Sequence, residues 1–311
     1  VQNVAIFSGQ ANRPLAEAIC RHLGVPLRPT TFRRFGNDCQ YVQLAANCRE
    51  QDVYVIQPLT PPVQEHLVEL MMMLDAARGA SARRLTAVMP YYAYARSDKK
   101  DAPRISIAAR LVADLLETAG ASRALTMTLH SEQVHGFFPV PVDHLNALHI
   151  LARHFQGRDL EGAVVVSPDL GHAKPAGAFA RMLGLPVASG RKTRISDREV
   201  AIDMIVGDVA GKDAILMDDE IANGGSMMEL MARLREHGAR RFTVVCTHGL
   251  FTNGALERIA AEEDVIEVVT TDTCPNVARH PKLRVLTIAP LMAEAIRRIN
   301  EGHSVSELFP A

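Results

Sequence analysis

Two adjacent carboxylates, Asp218-Asp219, close an apolar run at 214–217. They open the stretch Glu220-Ile221-Ala222-Asn223-Gly224-Gly225-Ser226, which feeds a helical pattern. Backbone N–H groups at such a loop and helix start form an anion cradle, and glycines let a phosphate approach closely. Carboxylates repel phosphate but suit the hydroxyls of a sugar or a hydrated Mg2+. A sugar phosphate satisfies both demands at once. Ser226 and Glu229 have capping-box spacing, and a capping serine in an ordinary turn is the better account of Ser226 alone. That account does not explain two consecutive acids at the end of a buried strand.

Other apolar runs also end in residues with chemical capability. After 163–166 comes Ser167-Pro168-Asp169-Leu170-Gly171-His172-Ala173-Lys174, in which Asp169 can help hold a metal or phosphates and Gly171 permits close approach. Taken singly, this is a turn. After 124–129 stands His130, a residue type that ligates metals or bonds phosphate, though a lone histidine more often packs locally. After 85–89 the chain reads Pro90-Tyr91-Tyr92-Ala93-Tyr94-Ala95-Arg96-Ser97-Asp98-Lys99-Lys100-Asp101. Aromatics followed by charges can stack a base and clamp a polyphosphate; a solvated surface loop is an equal reading. Ser189-Gly190-Arg191-Lys192-Thr193-Arg194 places three cations on what reads as a loop able to close on a phosphate chain. A charge run is more often simply solvated. No GxxxxGK[ST] motif occurs, so nucleotide binding of the P-loop kind is excluded.

The elements that must position these residues are written twice. At an offset of 160, Ala16, Ala18, Arg21, Leu23, Gly24 and Pro26 fall on Ala176, Ala178, Arg181, Leu183, Gly184 and Pro186. Glu69, Leu70, Met71 and Leu74 fall on Glu229, Leu230, Met231 and Leu234 in the same way. At an offset of 157, Ala82-Arg83-Arg84 and Thr86 meet Ala239-Arg240-Arg241 and Thr243. The order and near-constant offset imply a duplicated domain, divided into 1–147 and 148–311. Val- and Ile-rich runs at 53–57, 85–89, 124–129, 163–166, 214–217, 242–246, 265–270 and 284–288 suit buried parallel strands. Helical patterns lie between them at 63–78, 105–119, 226–237 and 291–300. The expectation is an α/β fold of two related parallel sheets flanked by helices, with ligands beyond the carboxyl ends of the strands.

Composition bounds the function. The 311 residues match about two domains of ~150 residues. An apolar fraction of 48% with 22% charged residues excludes disordered, collagen-like and coiled-coil classes. A net charge of −1 supplies no field for a polyanion, so a nucleic-acid coat is not expected. The five cysteines form no CxxC pair, which favours a reducing compartment over a disulfide scaffold. The N-terminal residues read as a strand rather than a signal peptide. The most apolar stretch, 67–77, carries Glu69 and Asp75 and falls short of the ~20 residues that span a bilayer. A cytoplasmic protein with no membrane partner is expected.

Taken together, these residues resemble the ribose-phosphate pyrophosphokinase family over essentially the whole chain. The likeness runs through Phe7-Ser8-Gly9, Tyr94-Ala95-Arg96-Ser97-Asp98, Leu129-His130, Gly136-Phe137-Phe138, Val166-Ser167-Pro168-Asp169, Gly207-Asp208-Val209, Asp218-Asp219 and Ala289-Pro290-Leu291. It ends in Ser304-Val305-Ser306-Glu307-Leu308-Phe309. The resemblance implies two phosphoribosyltransferase-like domains and transfer of the diphosphoryl group of ATP to the 1-hydroxyl of ribose 5-phosphate, with Mg2+ as cofactor. By position, Lys192 and Arg194 match the family's catalytic loop cations. His130 and Asp169 match its Mg2+-associated pair. Asp218, Asp219, Ala222, Asn223, Gly224, Gly225 and Ser226 match its ribose 5-phosphate loop. Phe35, Asn37, Cys39, Arg96, Ser97, Asp98 and His130 match ATP-contacting positions, the aromatic being reached across a subunit interface. Arg49, Ser81 and Arg104 sit where many members bind a regulatory phosphate or ADP. Dimers that build hexamers are implied.

The departures fall on ligand positions. Where the family reads Ser-Asp-Gly-Glu after the aromatic, this chain has Gly36-Asn37-Asp38-Cys39. Where its ribose loop carries a third acid and a threonine, Ala222 and Asn223 stand, with an added acid at Glu220. Its Arg-Gln-Asp-Arg-Lys is Arg96-Ser97-Asp98-Lys99-Lys100, its Asp-Leu-His-Ala-Asp is Thr128-Leu129-His130-Ser131-Glu132, and the arginine between the loop cations is Thr193. Three readings follow: the family reaction, a diphosphotransferase with another acceptor or nucleotide, and a non-catalytic paralogue that binds an active subunit. Retained His130, Lys192 and Arg194 tell against the third, and the first is the preferred reading.

Overall fold

The computed structural model describes residues 3–169, 171–194, 200–275 and 279–309; the side chains of 192–194, 200, 201 and 203 lie outside the description. No helix among the described residues is long and apolar enough to cross a membrane. The chain forms two compact units: Val1–Leu145 with Thr273–Pro275 and Thr287–Ala311, and Asn146–Asp272 with Asn276–Leu286.

The first unit contains β1 (Val4–Ser8), α1 (Arg13–Leu23), β2 (Thr30–Arg34), β3 (Gln40–Leu44), β4 (Asp52–Ile56), α2 (Val63–Gly79), β5 (Arg84–Met89), α3 (Ala108–Ala119), β6 (Arg123–Met127) and β7 (Val142–Leu145). The second contains α4 (Leu148–His154), β8 (Ala163–Ser167), α5 (Ala173–Leu183), β9 (Val187–Arg194), β10 (Val200–Val206), β11 (Asp213–Ile221), α6 (Gly225–Glu236), β12 (Arg241–Gly249), α7 (Ala255–Ala261), β13 (Val265–Thr271) and β14 (Leu283–Leu286). The last helix, α8 (Ala289–Glu301), belongs with the first unit, although the sequence reading kept it in the second half. Arg297 Nη2 donates to the His22 carbonyl at 3.2 Å, and Asn300 Nδ2 donates to Asp52 Oδ2 at 2.9 Å.

The duplication is visible in the sheets. The first orders its strands β1-β4-β5-β6-β7, and the second carries β8-β11-β12-β13-β14 in the same succession. These strands pair in parallel, and all but the edge strands β7 and β14 are largely buried on both faces, as their Val- and Ile-rich runs require. Helices α1 and α5 match at the offset of 160, and each ends on a left-handed glycine, Gly24 at φ 72° and Gly184 at φ 69°. The lack of a Cβ makes that cap inexpensive. Each unit also has an antiparallel pair outside the series. In the first it is the separate hairpin β2–β3; in the second, β9 and β10 extend the sheet beyond β8. The cation-bearing segment 189–194, read from sequence as a loop, is therefore part of strand β9.

Each unit has its own apolar core. Phe7, Val55, Leu70, Leu74, Ala87 and Leu116 lie in the first, and Val166, Leu216, Leu230, Leu234, Phe242 and Val268 in the second. In the second sheet the chain runs from β8 outward to β9 on one side, then returns to lay β11 on the other. That reversal opens a crevice at the carboxyl ends of β8 and β11.

Candidate active site

The crevice gathers acids from two strands that are distant in sequence. β11 pairs with β8 only as far as Leu216, opposite Val166, so Asp218 and Asp219 project just beyond the paired region. At the end of β8, the buried Ser167 donates its hydroxyl to the Asp169 carbonyl at 2.6 Å. The Asp169 carboxylate then accepts the His172 N–H at 2.9 Å, folding the chain into the start of α5. A Cβ on Gly171 would stand 3.1 Å from the Asp169 carboxylate, so the glycine fits this tight turn. His172 occupies the N-cap of α5, and its Nδ1 lies 3.9 Å from Asp219 Oδ1.

Among the described residues, His172, Asp218 and Asp219 are the one group whose ligand atoms come close enough to share a metal ion, all within 4.8 Å. Asp219 is 4% exposed, while Asp218 keeps some access to solvent. Burial, then the charge of Asp219, holds the Asp218 carboxyl well above the usual carboxylate range, and Asp169 adds to the effect. The Asp219 N–H returns a hydrogen bond to Asp218 Oδ1 at 2.9 Å. Sequence reasoning did not assign His172 a role. Its position three residues after Asp169, in the same strand-end loop, was the available signal.

Beyond the acids, the chain turns along residues 221–224. The Ile221 carbonyl accepts from the Leu250 and Phe251 amides at 3.0 and 3.1 Å, and the Ala222 carbonyl accepts from Thr252 N–H at 2.9 Å. Asn223 Oδ1 accepts the Gly225 N–H at 3.1 Å. Gly224 is the N-cap of α6 at φ 74° and has no side chain of its own to cap the helix, so the first helical N–H is met by Asn223 Oδ1 instead. The expected capping box is not formed, because α6 begins at Gly225 and Ser226 lies inside the helix rather than at its N-cap; Glu229 pairs with Arg233 one turn on, at 3.2 Å. Helix α6 thus begins with first-turn amides that no preceding helical carbonyl can take. Ala222 and Ser226 are half-buried, and Asn223 and Gly225 are exposed.

The first unit holds the remaining candidates. Phe35 sits at the tip of the β2–β3 hairpin, 53% exposed, with its ring edge-on to Tyr41 at 5.8 Å. The tip is closed by the Phe35 N–H to the Cys39 carbonyl and the Asp38 N–H to the Phe35 carbonyl, both 2.9 Å. Asn37 Oδ1 accepts from the Cys39 amide at 3.3 Å, and the Asp38 carboxylate is held by Arg34 at 2.7 Å. Cys39 is exposed.

Of the tyrosines in the segment after β5, Tyr91 and Tyr92 are buried, so neither is placed to stack a base. Tyr92 packs on Phe138 at 5.4 Å and donates to the Ala109 carbonyl at 2.8 Å. Ser97 also works inward: its Oγ accepts from Ala108 N–H at 3.2 Å, where α3 begins. Arg96 is exposed and Asp98 half-buried. His130 is exposed just past a left-handed Thr128, at φ 40°, which ends β6 before residue 129. The Leu129 N–H donates to His144 Nε2 at 3.0 Å.

Arg49 and Ser81 are brought together, with Arg49 Nη1 3.4 Å from Ser81 Oγ. Arg104 is exposed at φ 65°. The backbone of Lys192 and Arg194 lies in β9, opposite Ile202 and Val200, and their side chains are outside the described residues.

Residues 4–120 match the N-terminal domain of ribose phosphate pyrophosphokinase, and residues 192–310 match the phosphoribosyl synthetase-associated domain. A Streptomyces coelicolor protein described as a putative ribose-phosphate pyrophosphokinase is 62% identical, over 100% of this chain and 99% of that one. The chain belongs to the ribose-phosphate pyrophosphokinase family. It is an enzyme of that family, built from two phosphoribosyltransferase-like domains. The ribose-phosphate pyrophosphokinase of Deinococcus radiodurans is 51% identical over 98% of the chain and 97% of its own length. The crystal structure of phosphoribosylpyrophosphate synthetase from Mycobacterium smegmatis superposes with a TM-score of 0.90 at 40% identity, covering 97% of this chain and 100% of that one.

Proposed function

We propose that this chain transfers the diphosphoryl group of ATP to the 1-hydroxyl of ribose 5-phosphate, releasing AMP and forming phosphoribosyl pyrophosphate. One observation carries the reading within the chain. The crevice between β8 and β11 sets paired carboxylates beside a loop whose carbonyls are tied back and which opens into helix α6. Phosphate is taken by the amides of residues 223, 224 and 226, while the Gly225 N–H is held by Asn223 Oδ1, and the ribose hydroxyls are taken by Asp218 and Asp219.

The donor set fits Mg2+. Two crowded carboxylates hold one proton-favouring acid, a conflict that a hard dication relieves through oxygen ligands. His172, Asp218 and Asp219 would hold the ion, with Asp169 in the adjoining loop; His130 enters by its match to the family's Mg2+-associated pair. When bound, it supplies charge neutralisation on the transferred phosphates. The chain's own part is positioning. Lys192 and Arg194, by their place in the family pattern, offset charge on the moving diphosphate. Arg96, Ser97 and Asp98 belong to the ATP side of the site, with Ser97 acting through the segment it anchors. Phe35, Asn37 and Cys39 meet the adenine of a neighbouring subunit, which requires a homo-oligomer of dimers, as in a hexamer. Arg49, Ser81 and Arg104 form the site of a phosphate or ADP regulator. The enzyme works in the cytoplasm.

A second reading, a different nucleotide donor, is favoured by the hairpin tip. Asn37 Oδ1 is turned onto the Cys39 amide and Asp38 onto Arg34, so the acceptors that would read an adenine amino group are engaged elsewhere. The test is AMP release from ATP with and without ribose 5-phosphate, repeated with other nucleoside triphosphates. Release that depends on both substrates supports the first reading. Release of a different nucleoside monophosphate at higher rate supports the second. No turnover with any pair leaves only the non-catalytic alternative.

A further inference from the structure

Three successive carbonyls of the phosphate loop are held by the segment that follows β12. The first two, from Ile221 and Ala222, are bonded by backbone amides of residues 250–252. The third is held differently: Arg258 on α7 donates from Nη2 to the Asn223 carbonyl at 2.6 Å, and from Nη1 to the Asn253 carbonyl. A trans peptide is planar, with its C=O and the next N–H pointing in opposite directions. Pinning the carbonyls of 221, 222 and 223 toward β12 and α7 therefore turns the amides of 222, 223 and 224 the other way, into the loop.

The third peptide is the vulnerable one. It is followed by Gly224 at φ 74°, a residue with no Cβ to resist rotation. If it turned over, the Asn223 carbonyl oxygen would face the bound phosphate, replacing a donor with a repelling dipole. Gly224 lies close against α7, where an added Cβ would meet Ala255 and Ile259 at 3.2 Å. Contact with α7 fixes the loop's distance from that helix, and the Arg258 bond fixes the orientation of its peptide. A purely local role for Arg258, bracing the turn at left-handed Asn253, accounts for the Nη1 bond but leaves the Nη2 bond unexplained.

We infer that Arg258 is a positioning residue for the ribose 5-phosphate site: by holding the Asn223 carbonyl outward it keeps the Gly224 N–H aimed at the phosphate. The inference rests on the reading of residues 222–226 as the phosphate loop. Its test is a pair of variants, Arg258→Met and Arg258→Lys, assayed with each substrate varied in turn and by ligand-induced shifts in thermal midpoint.

Arg258→Met raises KM for ribose 5-phosphate about tenfold, the scale of one hydrogen bond to a charged group, and leaves KM for ATP within about twofold. Its thermal midpoint no longer rises with ribose 5-phosphate but still rises with ATP. Arg258→Lys keeps one donor and recovers part of the ribose 5-phosphate response, which also covers the case of a Met variant that folds poorly. An Arg258→Met chain with wild-type KM for ribose 5-phosphate, or with both KM values raised together, overturns the inference alone. A wild-type chain indifferent to ribose 5-phosphate overturns the functional reading and this inference with it.

Discussion

The Nδ1 atom of His172 lies 3.9 Å from Oδ1 of Asp219, although one residue leaves the loop after β8 and the other closes β11. The contact exists because these strands are neighbours at the reversal of the sheet. It places a nitrogen donor in a site otherwise made of carboxylate oxygen. Imidazole suits later first-row metals better than Mg2+. His172→Ala should therefore weaken Ni2+ binding about tenfold and Mg2+ binding by less, as read by isothermal titration. Equal losses for the two ions would remove His172 from the ligand set.

Asp218 is predicted to trade stability for activity. Its carboxyl is held above the usual range by burial and then by Asp219, so its ionised form is penalised in the folded chain. The associated stability is complete below the unfolded value of ~3.9 and is lost as pH rises through the raised folded value. Asp218→Asn removes that penalty. In metal-free protein at pH 8 it should raise the thermal midpoint, while lowering kcat/KM for ribose 5-phosphate on the order of a hundredfold. A lowered midpoint would contradict the assignment.

Asp52 behaves in the opposite sense. It is 1% exposed; burial works against its ionisation, but hydrogen bonds from Arg84, Arg83 and Asn300 prevail and bring its carboxyl to about 2. Its contribution is present above pH ~4 and is lost as pH falls toward the folded value. Both arginines are about half exposed, which screens the ion pairs. Asp52→Asn should cost about 2 kcal/mol at pH 7, with the gap to wild type narrowing at pH 3. Urea unfolding at the two pH values measures both effects.

The hairpin tip offers a gain of function. Cys39 is exposed and stands where the family places a carboxylate. Cys39→Glu restores a charged acceptor and should lower KM for ATP about tenfold, leaving KM for ribose 5-phosphate unchanged. An unaltered ATP dependence would mean that this position does not read the base.

Much of the site was legible because strand ends are local features. Asp218 and Asp219 follow an apolar run, and the Gly-rich turn that follows them leads into a helix, so neither needed tertiary information. The duplicated sheets were legible too, since buried parallel strands carry unbroken Val and Ile runs. His172 was not legible as a partner of Asp219, because their approach depends on β8 lying beside β11. The hairpin β2–β3 was missed because Thr30-Thr31-Phe32-Arg33-Arg34 is half-exposed and lacks an apolar run. The cations of 189–194 read as a loop because the segment lacks an apolar run, yet antiparallel pairing with β10 makes it strand. The C-terminal helix carries a clear amphipathic pattern, but nothing in that pattern says which sheet it packs on. The buried Asp52 carboxylate, bonded by Asn300, supplies part of that choice.

The most direct test of the account is AMP formation from ATP and Mg2+, with ribose 5-phosphate present or withheld, in wild type and Lys192→Ala. The account predicts release that requires ribose 5-phosphate, equals phosphoribosyl pyrophosphate formed mole for mole, and is abolished by Lys192→Ala. Release that ignores the sugar phosphate, or that survives the loss of Lys192, would contradict it.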